Sequence, residues 1–161
     1  MVSKSNQPRE DGLSRFIAKS GGVTRAQALD RAALKIELLR VPAQESVAFD
    51  LGCLNDYTTM IDAEPPRAVL DEVQRIAMSI ASLAGLFGSA NVGEAARLLA
   101  DTIEIQKDAG VFDLAQVRVQ CEGVQLLASG AHNPEEQERL IVGMRRVRDH
   151  ARALLTEANP T

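Results

Sequence analysis

From Val69 onward, apolar residues recur at the spacing of one helical face. Val69, Val73, Ile76, Ile80, Leu83 and Phe87 step by 4, 3, 4, 3 and 4. The alternation holds a single stripe over about five turns and fits a helix, not a strand. A helix patterned this way is not stable alone in water, because its stripe must be covered by other apolar faces. The rest of the chain supplies them. Val92, Ala96, Leu99 and Ile103 step by 4, 3 and 4. Leu114, Val117, Cys121, Val124 and Ala128 step by 3, 4, 3 and 4, and Leu140, Met144, Val147, Ala151 and Leu154 by 4, 3, 4 and 3. Gly110 and Gly130 separate these runs, and a Gly/Ser/Asn turn over 88–91 precedes the second of them. Consecutive helices with short connections predict an all-α, antiparallel up-and-down four-helix bundle with an additional N-terminal covering segment.

Start signals refine the boundaries. Thr24 with Gln27 reads as a capping box, opening a helix through about Arg40 with Leu29, Ala33 and Ile36 as its stripe and Pro42 as its stop. Asn91 with Glu94, and Asp113 with Gln116, read as caps of the later helices. Asn133-Pro134-Glu135-Glu136 combines an N-cap, proline at the first helical position and an acidic first turn. Residues 43–63 are ambiguous. Phe49, Leu51, Leu54, Met60 and Ile61 are apolar, but Gly52 and Asn55-Asp56 interrupt them, so a helical turn or two with loop is expected. Residues 1–12 read as a disordered tail and 13–157 as a single bundle domain. Leu13, Phe16 and Ile17 would pack on that bundle or act as a short docking motif.

Composition narrows the function. Only 3% of the 161 residues are aromatic and none is Trp, so the core must be built from Leu, Ile, Val and Ala. The net charge of -4 and the single Tyr argue against nucleic acid as a partner, which calls for a basic footprint or stacking rings. No run of apolar residues is long enough to span a membrane, and the polar N-terminus carries no apolar leader. Cys53 and Cys121 form no Cys-x-x-Cys pair and read as reduced thiols of a cytoplasmic protein.

Several chemistries fail on inspection. The glycines of Gly88-Ser-Ala-Asn-Val-Gly93 match a phosphate-binding loop, but Glu94 stands where that loop needs Lys, and no strand precedes it. The two histidines, His132 and His150, are isolated, and no helical face pairs two metal ligands. No nucleophile-elbow motif is present. Asp101, Glu104 and Asp108 fall on an outer helical face, where carboxylates keep a surface wet. Arg139, Arg145, Arg146, Arg148 and Arg152 read as a solvated face paired in part with Glu135, Glu136, Glu138 and Asp149. No cofactor and no catalytic residue is expected.

One passage carries a functional reading. Residues 81–93 are rich in Gly, Ala and Ser, and Ala77, Ala81, Gly85 and Gly88 step by 4, 4 and 3 along one stripe. A face without bulk lets another backbone approach closely. Ala81-Ser82-Leu83-Ala84-Gly85 resembles the His-x-x-Lys-Gly segment of histidine-containing phosphotransfer domains, with Ala81 in place of the acceptor His and Ala84 in place of Lys. The small residues Ser89–Gly93 look like that family's turn, displaced by about two residues. The similarity spans 66–130. It implies binding without transfer, since Ala81 offers no nucleophile and Ser82, about 100° round the helix, has no base beside it. The implied partner is a receiver domain or histidine kinase, docked on Ala77, Met78, Ala81, Ser82, Ala84, Gly85 and Gly88. Two other readings stand beside this one. The stripe can instead pack inside the bundle or in a homodimer of a structural protein. A small-ligand bundle is the third reading, although the sequence supplies no converging polar groups for it.

Overall fold

The computed structural model describes residues 23–61, 66–87 and 89–158. The tail 1–12, the piece carrying Leu13, Phe16 and Ile17, and Gly88 lie outside the described residues. The described chain is all-helical: α1 (Arg25–Leu38), α2 (Arg40–Met60), α3 (Arg67–Leu86), α4 (Ala90–Ala109), α5 (Leu114–Ala128) and α6 (Pro134–Ala158). It divides between Leu39 and Arg40 into two compact units, a boundary that falls inside the span 13–157 expected as one domain.

In the first unit, α1 opens on the expected capping box. Thr24 Oγ1 accepts from the Gln27 N–H at 3.2 Å, and Gln27 Oε1 accepts from the Thr24 N–H at 3.1 Å. The helix closes where the Leu39 N–H donates to the Ile36 carbonyl at 3.0 Å. None of its residues is buried.

The second unit packs five helices together. Its first member corrects the sequence reading: residues Arg40–Met60 form one continuous helix where turns and loop were expected. Pro42 does not stop α2, because it sits in the first turn, where backbone N–H groups have no intrahelical acceptor to lose. Gly52 meets no neighbour and is carried within the helix. Ala43, Leu54 and Thr58 are buried on one side of α2, and Val47, Leu51 and Tyr57 pack beside the core.

α4 is the central element, packed against α3, α5 and α6; α2 lies against α3 and α5, and α5 against α6. The predicted seams meet there. Val73, Ile76 and Ile80 of α3, Val92, Ala96, Leu99 and Ile103 of α4, and Val117, Cys121 and Val124 of α5 are all buried. Ile141, Met144 and Ala151 add the inner face of α6. Each fully buried Leu or Ile stabilises by about 1.5–3 kcal/mol relative to exposure. The turns follow local chemistry. Asp113 Oδ1 accepts from the N–H groups of Ala115 and Gln116 at the start of α5. Asn133 and Glu136 form a reciprocal capping box at α6. Asn91 and Glu94 do not cap α4: the N-cap is Ser89, and these two side chains instead reach Gln137 and Arg145 on α6. Gly110, with a φ of 64°, closes α4 in the left-handed region that glycine tolerates best.

Candidate functional site

The small-residue stripe was expected to form an open groove. The structure places most of it inside the bundle. Ala77, Ala81 and Ala84 are 0%, 6% and 4% exposed. The covering body is α4 of the same chain. A Cβ added to Gly93 would lie 3.0 Å from the Gly85 nitrogen, 3.2 Å from the Ala81 carbonyl oxygen and 3.3 Å from the Gly85 Cα. The two helix backbones are therefore in direct contact, and the missing side-chain volume is what lets α3 and α4 approach so closely. The close approach expected of a foreign surface is made internally, so Ala77 and Ala84 are not available for docking as they stand. Ala81 and Gly85 also border a shallow polar hollow with Glu94, Arg97, Asp101 and Arg148. Of the other expected docking residues, Met78, Ser82 and Gly85 are exposed, and Gly88 lies outside the described residues. The Ser82 hydroxyl donates to the Met78 carbonyl one turn back at 2.8 Å.

The contact geometry separates two glycines on the same interface. Gly93→Ala is expected to destabilise the fold by about 1–3 kcal/mol, because every atom its Cβ would strike is backbone. Gly85→Ala, whose Cβ would enter open space, is expected to stabilise by about 0.5–1 kcal/mol through helix propensity. Urea unfolding of the two variants reads the difference, and equal signs would contradict the packing described.

Polar groups in the core are few. Asp50 is buried, and its Oδ2 accepts from Ser79 Oγ at 2.6 Å, tying α2 to α3. Gln120 is fully buried; its Nε2 donates to the Met144 carbonyl at 2.9 Å and to Thr102 Oγ1 at 3.3 Å, while its Oε1 has no partner. Burial pushes the Cys121 thiol up to about 11 against an opposing hydrogen bond with Thr58, so it stays protonated and unreactive at neutral pH. Surface charges pair locally. The Lys107 ammonium hydrogen-bonds Asp71 and holds its carboxyl below the usual range; Arg75 does the same to Glu72. Arg145 bonds Glu94 at 2.9 Å through Nε, and Arg139 and Arg148 pair with Glu135 and Asp149. The arginines of α6 are thus partly neutralised within the molecule, as the sequence suggested. Among the described residues no cluster of His, Cys, Asp or Glu is arranged to hold a metal ion, and no helix is long and apolar enough to cross a membrane.

One feature escaped the sequence reading. A cavity of about 320 Å³ opens where α2, α3, α4 and α5 meet, walled by Val47, Leu51, Leu83, Phe87 and Val92. Its α2 wall belongs to the stretch read as turns and loop, so nothing in the sequence pattern predicted a surface there. Compared with known proteins, the chain matches no family model, no curated protein and no solved structure.

Proposed function

We propose that the chain is a non-catalytic helical interaction protein that associates with a second copy of itself through α1. The observation that carries this reading is the exposure of the α1 stripe: Leu29 and Ile36 are 60% and 56% exposed, with Ala33 exposed between them. A helix of 14 residues is marginal in water without an apolar face to cover its own. Leu29 and Ile36 are already about 40% covered, so burying the remainder from each of two copies contributes roughly 3.5–7 kcal/mol at about 1.5–3 kcal/mol per whole side chain. Association costs about 4–15 kcal/mol. The balance supports a reversible dimer, not an obligate one.

Charge on the flanks of the stripe supports a parallel pair. With Ala26, Leu29, Ala33 and Ile36 as the seam, Arg25 and Asp30 flank it on opposite sides. A parallel pair sets Arg25 of one copy beside Asp30 of the other. Sedimentation equilibrium over a range of concentrations tests the proposal. The mass is expected to rise toward two chains as the concentration increases, and to stay at one chain in the double variant Leu29→Lys, Ile36→Lys. A wild-type mass fixed at one chain at all concentrations contradicts it.

A second reading keeps the partner implied by the resemblance to phosphotransfer domains. It is favoured by the outer stripe of α3, where Met78, Ser82 and Leu86 follow one another at successive turns and Leu86 is 71% exposed. A receiver domain or histidine kinase would dock there without phosphotransfer. Titration with receiver domains, with and without acetyl phosphate, tests it; saturable binding lost in Ser82→Arg supports this reading, and no saturable binding removes it. The short connections between α3, α4, α5 and α6 support an antiparallel up-and-down course for these helices. The free thiols of Cys53 and Cys121 support a cytoplasmic location.

A further inference from the structure

Within the second unit, α2 is held differently from its neighbours. α3, α5 and α6 all pack against the central α4, whereas α2 packs against α3 and α5 and not against α4. The cavity of about 320 Å³ lies where α2 would otherwise meet α4, between Val47 and Leu51 on one side and Val92 on the other. Atoms that line such a gap lack partners across it, so α2 gains less from packing than a helix seated on all its inner face. Of its buried residues Ala43, Asp50, Leu54 and Thr58, Leu54 alone is large and apolar, with Ile61 just past the end. α4 buries Leu98, Leu99, Ile103 and Ile105 among others. Gly52 is exposed, and a Cβ placed there would meet nothing within 4 Å, so it loosens α2 without serving a contact.

Polar links complete the attachment. Buried Asp50 accepts from Ser79 Oγ on α3 at 2.6 Å. Arg75 attracts this carboxylate only through space, its guanidinium being hydrogen-bonded to Glu72. Seating α2 therefore takes a charge out of water with one hydroxyl to offset the cost, and lifting α2 returns that charge to solvent. At the two ends, Arg40 Nη1 donates to the Phe87 carbonyl at 3.4 Å, and Arg118 Nη2 donates to the Ile61 carbonyl at 3.3 Å. Beneath α2 lies the buried Cys121 of α5, whose thiol is hydrogen-bonded with Thr58 of α2. We propose that α2 is a strap that lifts from α3 and α5 while α3, α4, α5 and α6 stay packed together, uncovering Cys121, with Asp50 and Ser79 as its latch. Once lifted it melts, because a helix without a covering face is marginal in water.

Hydrogen exchange of the full chain at low urea concentrations, with maleimide labelling of Cys121 in a Cys53→Ser background, tests this. The most protected amides of α2 and the Cys121 thiol are expected to open together, roughly a hundredfold or more as often as the most protected amides of α4. Their opening should also depend less on urea, because it exposes less surface than unfolding the whole unit. Gly93→Ala strains the α3–α4 contact, which the lifted state keeps. It is expected to speed α4 exchange about fivefold or more while leaving Cys121 labelling within about twofold of the wild type. Ser79→Ala removes the donor to Asp50 and is expected to speed Cys121 labelling about fivefold or more. If α2 and Cys121 open only with α4, at the same rate and with the same urea dependence, the strap is overturned. Gly93→Ala speeding Cys121 labelling as much as α4 exchange overturns it equally. Labelling untouched by Ser79→Ala overturns the latch.

Discussion

Ala77→Arg is expected to abolish folding or to lower the unfolding temperature by more than about 10 °C. Ala77 is 0% exposed on the face of α3 that carries Ala81 and Ala84, the face closed by α4. Overfilling a well-packed interface costs about 1–3 kcal/mol. An uncompensated buried charge adds several more, because no carboxylate is buried on this interface to pair with it. Against a total stability of about 5–15 kcal/mol, that sum removes a large fraction or all of it. Circular dichroism melting reads the result. An open groove predicts the opposite: Arg at position 77 would extend into solvent and the fold would persist. Met78→Arg, one residue along and 49% exposed, is the control and should melt like the wild type.

Gln120→Glu is the second large effect, and its signature is pH. The substitution keeps size and shape but replaces the amide that donates to the Met144 carbonyl and Thr102. A buried carboxylate is penalised by desolvation and here faces a carbonyl oxygen, so the folded state holds the group protonated and its pKa rises well above the unfolded value of about 4.3. Below that value both states carry the proton and the variant should approach wild-type stability, since a protonated carboxyl can still donate to Met144. As pH rises, the folded state binds more protons than the unfolded one, so stability falls by about 1.4 kcal/mol per pH unit. At pH 7 the deficit is expected to reach about 3–4 kcal/mol. Gln120→Met, which removes the unpaired acceptor together with the donor, should show no such slope. Urea midpoints from pH 4 to 8 measure both; a flat profile for the glutamate variant would mean that position 120 is hydrated.

The sequence made the second unit's later helices legible because each combined a clear stripe with a chemical start. Val92, Ala96, Leu99 and Ile103 were read as one face and are all buried. The caps at Thr24, Asp113 and Asn133 form hydrogen bonds to the residues expected. α2 was illegible for the complementary reason. Its inner face mixes Ala43, Asp50 and Thr58 with Leu54, and its outer face exposes Phe49 and Met60, so no stripe stands out. Tertiary contact, not pattern, holds it helical. Asn91 and Glu94 show another limit: a capping-box spacing was present, but both side chains found tertiary partners across the bundle.

The candidate site shows what a small-residue stripe does and does not say. Ala77, Ala81, Gly85 and Gly88 signalled close backbone approach, and close approach is what the structure contains at Ala81 and Gly85, against Gly93 of α4. The identity of the approaching body was beyond the pattern, because a foreign surface and the next helix of the same chain require the same absence of bulk. The α1 stripe is the mirror case. Leu29, Ala33 and Ile36 read as a face to be covered, and Leu29 and Ile36 remain more than half exposed.

Thiol labelling of neighbouring positions on α3 tests most directly whether α4 closes this face. In a Cys53→Ser background, single Ala77→Cys and Met78→Cys variants would be treated with a maleimide under folding conditions. The packed interface predicts prompt labelling at position 78 and protection at position 77 until the chain unfolds. Equal, rapid labelling at both positions would contradict the account and return the stripe to solvent.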